Sequence, residues 1–120
     1  HDKDEFPRLA RSLAKKVATD IGLPPGTFDV RVNRAGSAVS GEAVLHADHI
    51  YVVFDAALGR ERFMYRGCRS RGDYVGFVNQ WFEWAHVETR YDKLIERLRE
   101  ELRAAAALSD YCRRLDAVAA

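Results

Sequence analysis

Two cysteines, three prolines and one methionine are all that this chain of 120 residues holds of those types. Cys68 and Cys112 are far apart and lack CxxC spacing, so two reduced thiols are the expectation, with a single disulfide between them as the alternative. Neither has a neighbouring His that would nominate it as a nucleophile. Cys68 does stand among arginines, which would lower its thiol pKa if it were exposed. No stretch reaches the roughly 18 apolar residues of a membrane span, and no basic-then-apolar leader is visible. A start at His1 rather than Met is expected of a fragment, a processed chain or a tag remnant.

Charge of one sign is missing too. Nineteen basic residues against eighteen acidic ones leave a formal +1, so nothing global calls for a polyanionic partner. Lysine is scarce, with four against fifteen arginines, and alanine is abundant. That bias is the mark of a GC-rich bacterial genome, and a cytoplasmic location is the matching expectation. A phosphate loop is absent as well, because Gly67-x-x-x-x-Gly72 lacks the following Lys-Ser/Thr pair. No two carboxylates stand out as an acid–base pair. Asp55 on a strand and Asp73 at a helix start are the only acids in unusual settings. They read as a sheet-edge residue and a cap.

What is present fits a single α+β domain spanning residues 1–120, with 48% apolar and 31% charged residues. Phe6, Leu9, Leu13, Val17 and Ile21 recur at helical spacing, with Ala10, Ala14 and Ala18 widening the stripe, so a first helix is predicted from Phe6 to Ile21. Gly22 ends it, and Leu23-Pro24-Pro25-Gly26 makes a type II turn. Four strands follow as an antiparallel meander. They run from Phe28, over Val39–Ala47 with Gly41 allowing a bulge, over Ile50–Ala56, and over Arg62–Arg66. Arg34–Ser37 and His46–His49 supply turns.

From the expected cap at Asp73 to Ala85 the pattern predicts an aromatic-rich helix. At roughly 100° per residue, Tyr74, Phe77, Trp81 and Trp84 fall on one flank of an apolar half and Val75, Val78, Phe82 and Ala85 on the other. Gly76 is the one residue that weakens it. Tyr91, Leu94, Ile95, Leu98, Leu102, Ala105 and Leu108 then make the stripe of a long C-terminal helix. That helix either breaks near Ser109 or continues through Cys112 and Leu115, nearly in heptads. A homodimer through it is one expectation.

The functional reading rests on the segment Arg60–Trp84. Its first half carries Arg60, Arg62, Arg66, Arg69 and Arg71 against Glu61 alone, and its second half holds five of the thirteen aromatics. The aromatic half divides too evenly round a helix to be mainly a stacking platform, although Trp84 at its rim is placed for contact. In the arginine half, Arg62 and Arg66 share a strand face, Arg31 can point the same way, and Arg69 and Arg71 follow in a loop. Arginine forks suit carboxylates and phosphates.

The preferred expectation is a non-enzymatic binding or regulatory module that takes an acidic protein or another anionic partner through Arg31, Arg62, Arg66, Arg69, Arg71 and Trp84, without a cofactor. A nucleic-acid binder gripping phosphates with the same arginines is the alternative. A third reading is a small metal-dependent enzyme using His46-x-Asp48-His49, the one metal-like spacing. On a strand and turn, however, His46 and Asp48 share a face while His49 points away.

Overall fold

The computed structural model describes residues 5–34, 41–57, 60–71 and 77–119. The element order is α1 (Glu5–Asp20), β1 (Phe28–Arg34), β2 (Gly41–Ala47), β3 (Ile50–Ala57), β4 (Arg60–Arg66), β5 (Gln80–Phe82), α2 (Ala85–Thr89) and α3 (Tyr91–Ala119). The class is α+β, as the sequence predicts. The five strands form one antiparallel sheet in the order β1-β2-β3-β4-β5.

Alternation along each strand gives the sheet one apolar face. Ala43, Leu45, Ala47, Ile50, Val52, Phe54, Phe63, Tyr65 and Phe82 are buried there, with Phe28, Val30 and Val32 packed partly buried at the β1 edge. Phe54 and Phe63 are paired in register, their ring centroids 4.9 Å apart. On this layer sit α1, through Ala10, Ala14, Val17 and Ala18, with Ile21 just past its end, and α3, through Leu94, Ile95 and Leu98. Three of these four α1 residues are alanines, and Leu9 is 56% exposed rather than part of the stripe. A face that small lets the helix backbone approach the sheet closely, with alanine at its centre and the larger side chains at its margins.

The end of α1 follows from its residues. Gly22 takes φ 90°, its amide donates to the Thr19 carbonyl at 3.0 Å, and the Leu23 amide reaches back to Ala18 at 2.9 Å. This is a Schellman termination, which needs a residue tolerant of positive φ at that place. The same corner joins the helices. Tyr91 donates to the Asp20 carboxylate at 2.6 Å, and Arg99 donates to the Asp20 carbonyl at 2.7 Å.

Two expectations are corrected. The aromatic segment does not make a helix. Residues 72–76, including the expected cap Asp73, lie outside the description, and Gln80–Phe82 forms a fifth strand against Phe63–Tyr65. A helix there would leave the β4 edge with unpaired backbone groups, whereas a strand closes it. Aromatics suit that pleated setting as well as they suit a helix. Of the strand's residues Phe82 alone is buried, Gln80 and Trp81 being exposed, and Val78, expected inside, is 76% exposed. Second, Gly41 makes no bulge, because its register with Arg34 and Ala56 is continuous. Of the two alternatives left open for α3, the unbroken one is taken, through Ser109 to Ala119. The expected turn over 34–37 falls largely outside the description, while the second turn narrows to Asp48 and His49, with His49 at φ 74°.

Candidate binding surface

The other sheet face carries no helix among the described residues, and the register arranges it in three rows. Asp29, His46, Tyr51 and Arg66 make the first; Arg31, Val44, Val53, Met64 and Trp81 the second; Glu42 and Arg62 the third. The pleat therefore brings Arg31, Arg62 and Arg66 onto one face, as their spacing predicts. It also adds two aromatics. The Arg66 guanidinium lies 4.4 Å from the Tyr51 ring centroid, and that of Arg62 5.7 Å from the Trp81 ring. Arg66 also donates to the Asn79 side-chain oxygen at 3.0 Å, fixing its fork beside β5.

Beyond Arg31 at its β1 end, the middle row is apolar. Val44 and Val53 are only 3% and 9% exposed although they lie on the helix-free face, Met64 is half-buried, and Trp81 is open. The apolar stretch ends in an exposed tryptophan and is flanked by one row that carries Asp29 and Arg66 and another that carries Glu42 and Arg62. The acids matter for the choice of ligand. Asp29 and Glu42 are exposed within the same surface, so the face is mixed in charge rather than a continuous basic strip.

Arg69 and Arg71 fall elsewhere, in the loop after β4. Arg71 ties that loop to β1 and the preceding turn. Its guanidinium reaches the Asp29 carboxylate at 3.4 Å and the Gly26 carbonyl at 3.3 Å, and its amide donates to the Asp48 carboxylate at 2.7 Å. Arg69 is exposed and lines a half-open groove of about 450 Å³. The Asp48–His49 turn, Ser70 and Phe77 form one wall of that groove, and Leu108, Cys112 and Asp116 of α3 the other. Trp84 is half-buried and packs against the core, away from the arginine rows.

The metal-like trio is dispersed by its contacts. His46 is 2% exposed, with its Nε2 3.7 Å from the Cys68 sulfur. Asp48 accepts the Arg71 amide, and His49 Nδ1 lies 3.3 Å from the Cys68 carbonyl oxygen. Among the described residues no group of three or more His, Cys, Asp or Glu is placed to hold a metal ion.

The sequence reading finds no His for either cysteine, yet the fold puts His46 against Cys68 across 22 residues of chain. Sequence adjacency carries no trace of such a pair. Cys68 is fully buried and its thiol donates to the Ala47 carbonyl at 3.4 Å, so the exposure needed for arginine activation is missing. Burial first, and then the positive charge of Arg31, hold the His46 pKa below its ordinary value, against a backbone hydrogen bond with Ser70 that raises it. His46 is therefore a neutral, packed imidazole at pH 7. Both cysteines are free thiols.

Comparison of the chain with protein-family models, with curated proteins and with solved structures finds no match. Among the described residues no helix is long and apolar enough to cross a membrane.

Proposed function

We propose that the protein is a non-enzymatic binding module whose helix-free sheet face takes a protein partner bearing carboxylates. One observation carries this reading: Arg31, Arg62 and Arg66 border a row of apolar residues that ends in the exposed Trp81. Arginine and tryptophan are the residues that most often dominate a protein interface, and a guanidinium held over an aromatic ring is already ordered before a carboxylate arrives. The carboxylates of Asp29 and Glu42 on the same face would meet basic groups of the partner and repel a continuous run of phosphates. That favours a protein over a nucleic acid. A cytoplasmic, bacterial setting fits the composition.

The test is capture from native lysate, comparing wild type with Arg31→Glu/Arg62→Glu/Arg66→Glu and, separately, with Arg69→Glu/Arg71→Glu. A partner kept by wild type and by the loop variant but lost by the sheet variant supports the assignment. Loss only in the loop variant moves the surface to Arg69 and Arg71. The nucleic-acid alternative draws on the same arginines with Tyr51 and Trp81 as stacking platforms. It requires binding to single strands that weakens steeply with added salt.

Self-association is a second part of the reading, favoured by a different observation. Leu108, Tyr111, Leu115 and Val118 are 48%, 57%, 51% and 85% exposed on α3, beyond the last core residue of that helix, Ala105. A monomer gains nothing from that much uncovered apolar surface.

A further inference from the structure

We infer that the C-terminal part of α3 pairs antiparallel with the same segment of a second copy, about a two-fold axis passing beside residue 113. This rests on the self-association reading of α3 and is independent of the sheet face. At roughly 100° per residue, Leu108, Tyr111, Leu115 and Val118 fall within a sector of about 80°, turned about 100° round the helix from the face that buries Leu94, Leu98 and Ala105. Leu108, at the edge of the stripe nearest the core face, also lines the groove beside the Asp48–His49 turn, while Tyr111, Leu115 and Val118 turn further from the core face and are exposed among the described residues.

Its spacing permits an antiparallel orientation, and the flanking charges favour it. The steps between the four residues are three, four and three, which read the same in both directions. Reversed about residue 113, Leu108 meets the second copy's Val118 and Tyr111 meets its Leu115, so all four side chains of each helix find an apolar neighbour. The charges agree. Asp110 and Arg114 lie on one flank of the stripe and are already bonded to each other at 2.6 Å. Antiparallel pairing sets this flank against itself, bringing each Arg114 within about two residues' rise of the second copy's Asp110. The seam is short, about 15 Å from residue 108 to 118 at about 1.5 Å per residue, so the dimer is expected to dissociate on dilution rather than to be permanent.

Cys112 reports on the arrangement without any engineering. It is exposed on the opposite flank from Arg114, whereas Cys68 is fully buried. Antiparallel pairing about residue 113 puts the two Cys112 thiols on the same side, offset by about two residues' rise. Parallel pairing puts them on opposite sides of the seam.

Sedimentation across micromolar concentrations should show a monomer–dimer equilibrium, and a short bismaleimide should join wild-type chains into a covalent dimer. Cys112→Ser should abolish the cross-link and leave sedimentation unchanged. Leu115→Glu should weaken association about tenfold or more and remove the cross-link. Because Leu115 lies outside the core, the circular dichroism of that variant should match wild type. A dimer in sedimentation that Cys112 does not cross-link overturns the antiparallel seam and leaves self-association standing. A monomer at every concentration overturns both. A cross-link that survives Leu115→Glu marks collision between thiols and also overturns the seam.

Discussion

The Arg66 guanidinium stands 4.4 Å from the centroid of the Tyr51 ring, across the β3–β4 ladder in which the two residues are paired in register. The same side chain reaches Asn79 at 3.0 Å. One arginine of β4 thus links β3 and the residue that precedes β5, by a stacking contact on one side and a hydrogen bond on the other. Lysine can supply the charge but not the planar fork. Arg66→Lys should lower stability by about 0.5–1 kcal/mol, measured by urea denaturation, and should weaken partner capture more than it weakens the fold. Capture as strong as wild type would assign Arg66 to the sheet alone.

His46 gives the fold a dependence on pH. Its pKa in the folded state lies below the ordinary 6.5, chiefly because it is buried. The unfolded chain then binds the proton more readily, so stability is complete above about pH 6.5 and falls as the pH drops through and below that value. Urea midpoints collected from pH 8 to pH 5 should show the fall, and His46→Gln should flatten it over that interval. An unchanged slope in the variant would assign the pH dependence to other groups.

Gly67 is fixed by a close approach. A Cβ there would lie 2.8 Å from the Ala105 Cβ and 2.8 Å from a Phe77 ring carbon. The Gly67 amide also donates to Glu101 at 3.1 Å, and its carbonyl accepts the Phe77 amide at 3.2 Å. Gly67→Ala should therefore push α3 and Phe77 away from the loop at a cost of about 1–3 kcal/mol. Adding Ala105→Gly should recover part of the loss, although a helical glycine costs about 1 kcal/mol of its own. A double-mutant cycle with no coupling would contradict the contact.

Tyr91 donates to Asp20 at 2.6 Å, and the pair shifts in opposite senses. Burial and the Asp20 bond raise the phenol pKa, while the Tyr91 bond and then Lys16 lower that of the carboxylate. Tyr91→Phe should lower the urea midpoint by less than Gly67→Ala does. It should also shrink the stability lost as pH falls through the carboxylate range, because the depressed Asp20 pKa is the source of that loss. An identical acid limb in the variant would contradict the pairing.

The parts legible in the sequence are those where one period is unambiguous. The Ala10–Ala14–Val17 spacing of α1, the run from Tyr51 to Phe54, and the Leu94–Leu98 spacing of α3 each admit one reading, and the strand alternation puts Arg31, Arg62 and Arg66 on a common face. Gln80–Phe82 was illegible because three residues are too few to display alternation, and the surrounding aromatics satisfy a helical period equally well. What decides it is the vacant edge of β4, a property of the assembled sheet. The Cys68–His46 contact and the Gly67–Ala105 approach depend on residues 22 and 38 positions apart, which local spacing cannot bring together.

The most direct test of the sheet-face assignment uses Trp81 as its own reporter. In a Trp84→Phe background it is the one remaining tryptophan, and its ring lies beside Arg62 on the face in question. Titration with poly-glutamate should change its fluorescence saturably. Arg31→Glu/Arg62→Glu/Arg66→Glu in the same background should abolish that change while circular dichroism stays the same. Fluorescence indifferent to poly-glutamate, or a reversed-charge variant that still binds like its parent, would contradict the account.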